Sequence, residues 1–498
     1  MTARRPRAAA AALAVLLLFA GAAAGSELSD DLQARRARVM ERLGPDAMLL
    51  VWSAPVQRYS ADVNYEYRQD SNLYYLTGLT EDGTMLVLMP GNAAAREILF
   101  VRDRDPVEEH WHGRRLSAAE AAAATGIDTV LASSRFEPFV AAMLAGQPYG
   151  PVTTAAGARY FAAVAAGRAR LAIVNDNGRG SADGPRPAVE FAGRLQQRFR
   201  AVQVVDATPI FEDLRTIKTP YERRLLTRSL EISSEAQRAG MRAARPGAYE
   251  YEVKAAIEAV HRARGAVSWS YPSIVASGPH ATVLHYPGGD RRMQAGDLLL
   301  VDAACNYGYM SGDITRTYPV GGRFSPSQRE LYELVLRAQQ AGIEAAARQG
   351  ATLASIHAAT VAVIKAGLLA LGLITNVDGD QYKIWYTHAG THYIGIDVHD
   401  PGDRTRPLVP GMAFTIEPGL YIRQSALDAL PATPENAAFI ERVRPAVQKY
   451  LDLGVRIEDS FLLDEAGLRD LSAGVPKTID EIEAFLARRP ASSDDEGR

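Results

Sequence analysis

Three runs that read as β-strands each carry a carboxylate where an apolar core side chain is expected. In DLLLVDAAC the apolar stretch 298–301 ends on Asp302, in AFTIEPGLYI Glu417 precedes a Pro-Gly stop, and in GVRIEDSFLL Glu458 is set among apolar neighbours. A carboxylate buried in a sheet is costly unless a cation accompanies it. A fold that accepts these strands must therefore gather them around positive charge, unless Glu458 lies on an edge strand whose alternate residues face water.

Two further motifs complete the set. Asp313 follows Asp302 after the turn-forming NYGY at residues 306–309, and two strands joined by a tight turn would return the second carboxylate to face the first. The run THAGTHYIGIDVHDPG holds His388, His392 and His399, three of the chain's nine histidines. His388 and His392 would share one side of a helix or of a regular strand, while the Ala-Gly-Thr between them permits a bulge or loop, so the local geometry stays open. Asp302, Asp313, His392, Glu417 and Glu458 together form a hard, mostly anionic ligand set suited to Mn²⁺, Co²⁺ or Zn²⁺. Two such ions about 3.5–4 Å apart can polarise a scissile carbonyl and activate water, which points to a two-metal hydrolase.

The 498 residues, 47% hydrophobic, allow two or three domains. Residues 1–24 read as a secretory signal peptide: Arg4, Arg5 and Arg7, an apolar run over 8–20, then Ala22-Ala23-Ala24 before Gly25. The apolar run falls short of the roughly 20 residues that span a bilayer. Export to the periplasm or beyond is expected, with no stable membrane insertion after cleavage, no later membrane span, and the export route left open by a partial twin-arginine start. The leader takes away three arginines and no acids, moving the formal charge from −3 to −6. No basic stripe suggests a nucleic-acid partner. The single cysteine, Cys305, excludes an internal disulfide.

Residues 25–213 alternate apolar strands (AMLLVWSA, TMLVLMPG, EILFVRD, RLAIVN) with helical stretches, the pattern of an α/β domain, with an exposed loop expected over 175–187. From about residue 214 to 485 the pattern is α+β. A helix opens at Thr219-Pro220, a cap followed by proline at the first helical position, and a second helix follows Pro246-Gly247. Residues 486–498 are polar, acidic and expected to be disordered.

These motifs resemble the aminopeptidase P, prolidase and creatinase group, on YRQDSNLYYLTGL (67–79), HWHGRRL (110–116) and every ligand motif in order. The resemblance implies a creatinase/aminopeptidase P-like α/β amino-terminal domain and an α+β pita-bread catalytic domain. It further implies that Asp302 chelates one metal, Asp313 and Glu458 bridge both, and His392 and Glu417 hold the second, with Glu417 as general base. His285, in VLHYPGG, resembles the histidine that contacts substrate or stabilises the oxyanion. His399 resembles the one that hydrogen-bonds the scissile carbonyl and helps transfer a proton, and His388 a supporting pocket residue. Arg404 and Arg456 stand where the family has active-site arginines. Trp111 either reaches the active-site rim of a neighbouring subunit in a dimer or tetramer or lies in the core.

The implied function is an exported, dinuclear Xaa-Pro aminopeptidase acting on proline-containing peptides, with Mn²⁺ first among the candidate ions and Zn²⁺ or Co²⁺ open. The rivals are an Xaa-Pro dipeptidase and a non-catalytic peptide-binding module. Two features depart from the family pattern. VDAAC lacks the glycine that commonly follows Asp-Ala and brings Cys305 near Asp302, where it either perturbs the metal or is an inert buried thiol. The stretch between Glu417 and Glu458 carries an insertion that either narrows the substrate entrance or makes a subunit contact.

Overall fold

The computed structural model describes residues 27–175 and 187–488. The expected signal peptide, most of the expected 175–187 loop and residues 489–498 lie outside them. The chain divides into two compact units, Met1–Leu214 and Arg215–Arg498.

The amino-terminal unit is built on one six-stranded mixed sheet, in the spatial order Val130–Ala132, Glu97–Val101, Met85–Leu88, Ala47–Trp52, Arg170–Ile173, Gln203–Asp206. Its central strand pairs antiparallel with Met85–Leu88 and parallel with Arg170–Ile173. The apolar runs read from the sequence become strands because both faces are covered: Met48, Leu50, Val87, Ile98 and Phe100 pack on one face with Phe136, Phe139 and Val140 of the helix Phe136–Leu144, and Leu49, Leu86 and Leu99 are buried on the other. The YRQDSNLYYLTGL stretch forms the helix Ser71–Thr77, whose N-cap Asp70 accepts from the Asn72 and Leu73 amides, and which ends on Gly78 at φ 67°. Trp111 sits on the helix Pro106–His112 at 76% exposure, so the core alternative for it is excluded.

In the carboxy-terminal unit, the helix Pro220–Ala243 opens on the expected Thr219 cap with proline in the first turn, completed by Glu222 into a capping box. It packs on Glu250–Ala263 through Gly240, where a Cβ would lie 2.8 Å from Ile257. Among the described residues one helix, Leu353–Ala370, is long and apolar enough to cross a membrane by length and composition alone, a test that a packed core helix also passes. It buries Leu353, Ile356, Thr360, Ile364 and Leu368 and meets the helix Pro326–Ala346 at Gly367, where any side chain would strike Leu334. The helix Ile479–Ala487 carries order past residue 485, because Ile482 and Leu486 are buried; the expected disordered tail therefore starts too early at 486.

Two antiparallel ladders position the site. In the first, Leu298–Asp302 pairs with Thr315–Pro319, and the same register continues through Cys305–Tyr307 and Met310–Ser311. A two-residue turn closes it, with Gly308 at φ 56° and Tyr309 at φ 65°, the positive angles that match the twist of a hairpin. In the second, Ala413–Ile416 pairs with Asp459–Asp464 and Gly419–Tyr421 with Gly454–Arg456, again in one register. A bridge between Thr315 and Glu458 joins the two ladders. The expected insertion contains the helix Pro434–Tyr450, which buries Phe439, Val443, Val447 and Tyr450 and ties back to Glu330 of the same unit through Lys449 and Tyr450.

Candidate metal centre

Each ladder presents two carboxylates. In the first, Asp302 pairs with Thr315, and the register carries Asp313 opposite Ala304, so the two aspartates are diagonal neighbours on one face instead of directly opposed. The Tyr271 hydroxyl lies between them, 2.5 Å from Asp302 Oδ1 and 2.6 Å from Asp313 Oδ1. In the second ladder Ile416 faces Asp459 and Gly419 faces Arg456, so Glu417 and Glu458 stand directly across from each other at the break between the paired segments. Their amides turn outward, Glu417 N–H to Gly390 O at 2.9 Å and Glu458 N–H to Thr315 O at 3.1 Å. The pair is thus a non-hydrogen-bonded one, whose side chains approach most closely. Like charges directly opposed across a ladder are destabilising unless a cation lies with them.

His392 closes the group from a segment without regular secondary structure, which settles the geometry the sequence left open. The Thr415 amide donates to His392 O at 2.8 Å, fixing the backbone beside the second ladder. The imidazole Nδ1 donates to Tyr393 O at 3.0 Å, which turns Nε2 toward the carboxylates. That Nε2 lies 3.4 Å from Asp313, 3.3 Å from Glu417 and 3.9 Å from Glu458. Asp313, His392 and Glu458 can each turn a ligand atom to a common point. Asp302 joins through Tyr271, and Glu417 through His392.

Around these ligands the structure gathers most of the other expected residues. His388 places Nδ1 3.7 Å from Glu417 and its Nε2 2.9 Å from the Tyr421 hydroxyl. Arg456 reaches Asp302 Oδ2 at 2.6 Å and Tyr421 at 2.7 Å. The His399 ring stands edge-on to His392 at 4.5 Å, and His285 is near enough to add to its repulsion of a proton. Arg404 makes no ion pair with the site carboxylates; its positive charge bears on His357, whose Nδ1 accepts from the Gly390 amide at 3.1 Å. Cys305 is buried with its sulfur against Ser229 and Ser233 and its thiol pushed up by that burial, the inert alternative. Sequence reasoning missed Tyr271 and Tyr421 as site residues. Tyr421 lies inside the Glu417 motif, but nothing marks Tyr271 within SYPSIV.

With the geometry described, likeness to known proteins becomes informative. Residues 224–465 match metallopeptidase family M24, and residues 32–151 match the aminopeptidase P N-terminal domain. The chain is 34% identical to the Xaa-Pro aminopeptidase of Escherichia coli K12, over 93% of this chain and 98% of that protein. The chain belongs to the M24 metallopeptidases. It is a metalloaminopeptidase with an aminopeptidase P amino-terminal domain and a pita-bread catalytic domain. Among solved structures it is similar to the Pseudomonas aeruginosa aminopeptidase PepP, with TM-score 0.78 and 33% identity over 93% of this chain and 99% of that one. It is also similar to zinc-substituted E. coli aminopeptidase P in complex with product, with TM-score 0.76 and 31% identity over the same shares.

The residues of this M24 chain fit a bound cation. Glu458 is 1% exposed, and while its Oε2 accepts from Thr315 at 2.7 Å, its Oε1 has no hydrogen-bond donor. Burial, followed by the neighbouring carboxylates, holds the Asp313, Glu417 and Glu458 carboxyls well above the usual range. A divalent ion would supply the charge these oxygens lack. Burial and then Arg456 push His388 down to about 3, and burial and then His392 push His399 down to about 4, so both rings are neutral near pH 7.

Proposed function

We propose that this chain is an exported Xaa-Pro aminopeptidase that uses two divalent ions, Mn²⁺ first, to release the N-terminal residue from peptides with proline second. Export rests on the leader at residues 1–24. The observation that carries the catalytic reading is the cross-strand pair Glu417 and Glu458 meeting Asp313 and His392 around an unsatisfied carboxylate oxygen.

Asp302, Asp313, His392, Glu417 and Glu458 would hold the ions, which when bound polarise the scissile carbonyl and make water a better nucleophile. Glu417, flanked by His388 and His392, accepts the proton of the attacking water. His399, neutral, donates a hydrogen bond to the carbonyl oxygen as charge develops there, and His285, whose charge bears on His399, adds a second contact. Arg456 fixes Asp302, and Tyr271 orients both aspartates. A proline imide has no N–H, so this arrangement, which asks for no donation from the scissile nitrogen, accepts bonds that ordinary aminopeptidases handle poorly. In this reading Trp111, exposed on its helix, is offered to a neighbouring copy in a homo-oligomer.

The test is release of alanine from Ala-Pro-Ala and from Ala-Pro by metal-stripped protein, with Mn²⁺, Zn²⁺ or Co²⁺ restored separately. Metal-dependent cleavage of the tripeptide, fastest with Mn²⁺, is expected. Cleavage of the dipeptide alone would make the chain a dipeptidase, and inactivity with every ion would leave a binding role.

A further inference from the structure

Pro418 continues the second ladder opposite Ile457, and a proline has no N–H to give its partner. One ladder bond survives there, from the Ile457 amide to Pro418 O at 3.3 Å. The donor that Pro418 lacks comes from elsewhere. Gln339, fully buried on the helix Pro326–Ala346, directs Nε2 to Ile457 O at 3.3 Å, to Ile416 O at 3.2 Å and to Asp459 Oδ2 at 3.0 Å.

All three neighbours are acceptors, so the nitrogen side of the amide must face them and its two hydrogens are shared. Ile416 and Ile457 are the residues immediately before Glu417 and Glu458, and Asp459 is the residue immediately after. Asp459 is itself anchored by Arg316 at 2.6 Å, Lys477 at 2.6 Å and Ser472 at 2.7 Å. The helix comes this close because Gly342, one turn on, has no side chain: a Cβ there would lie 2.8 Å from Ile416 and 2.9 Å from Thr360.

We infer that Gln339 is a positioning residue of the metal centre, setting the separation of Glu417 and Glu458 by gripping the peptide units that precede both. The inference rests on the reading of these two glutamates as metal ligands. Supporting groups of this kind typically change metal affinity or activity by about 10- to 100-fold when lost.

The experiment is calorimetric titration of Mn²⁺ into the stripped full chain, alongside Ala-Pro-Ala kinetics. Gln339→Met keeps the length and removes the donor. It is expected to weaken one of two binding steps about 10- to 100-fold and to lower kcat by a similar factor, with KM unchanged within about two-fold. A loss of packing alone would lower the melting temperature without separating the two metal steps. Gln339→Asn, one methylene shorter, retains a donor and is expected to show a smaller shift of the same step, and it stands in if the Met variant fails to fold. Parent-like metal steps and kcat in the folded variant overturn the inference. Glu458→Gln is run in parallel: if it keeps both metal steps, the ligand reading itself falls and the inference with it.

Discussion

The amino-terminal sheet and the catalytic ladders bury comparable strands for opposite ends. The first fills its interior with Met48, Leu50, Val87, Ile98, Phe100 and Phe139, and a fully buried charge there, Arg36, finds Glu97 and the Leu76 carbonyl at 2.8 Å each. The second buries Asp302, Asp313 and Glu458 at strand ends and breaks, leaves a Glu458 oxygen without a donor, and surrounds the group with Arg456, His388 and His392. An apolar core gains from every side chain it keeps. A charged one is held in place by its surroundings and gains only when its cation arrives.

The sharpest way to break that comparison is Glu417→Gln. Loss of the proposed general base is expected to lower kcat by about 10²–10⁴-fold, while the melting temperature holds or rises, since one member of a repelling carboxylate pair has been neutralised. A fall in stability with kcat retained would show that Glu417 serves packing instead. Next in size, Phe139→Ala in the amino-terminal core should cost about 3–5 kcal/mol in chemical denaturation without altering kcat of the folded enzyme.

Metal removal should separate the two units further. On the proposed reading the ions bind only the folded catalytic unit, so restoring Mn²⁺ at about 100 times its Kd should stabilise that unit by about 2.7 kcal/mol and leave hydrogen exchange in the amino-terminal sheet unchanged. Protection rising equally in both would contradict the separation.

The smallest effect concerns His261, buried on the helix Glu250–Ala263 with neither ring nitrogen partnered, and pushed down to about 4 by burial. Its folded value lies below the unfolded one, so the stability it permits is complete above about pH 6.5 and is lost as the pH falls toward 4. His261→Leu should therefore recover about 2–3 kcal/mol relative to the parent at pH 4.5 and little of this difference at pH 7. Parallel stability curves for variant and parent would remove that assignment.

The same contrast governs what was legible in the sequence. Asp302, Glu417 and Glu458 stood out because a carboxylate in an apolar strand run is costly without a cation, and the Thr219-Pro220 cap stood out because capping is local chemistry. The diagonal placement of Asp302 and Asp313 depends on the register closed at Gly308 and Tyr309, and the direct opposition of Glu417 and Glu458 spans an inserted helix; neither follows from spacing. The 388–399 segment takes its shape from distant backbone partners, the Thr415 amide on His392 and the Ser311 amide on Gly395 at 2.7 Å. Arg404 and Tyr271 show the same limit in both directions. One looked like a site residue and makes no ion pair with the five carboxylate and imidazole ligands, its charge bearing on His357, and the other carried no signal and touches two aspartates.

The most direct measurement is anomalous X-ray diffraction from crystals of the stripped protein soaked in Mn²⁺. Two peaks are predicted, both within the group formed by Asp302, Asp313, His392, Glu417 and Glu458, with the cross-strand glutamates on either side. A single peak, or strong peaks away from the Glu417–Glu458 pair, would contradict the account.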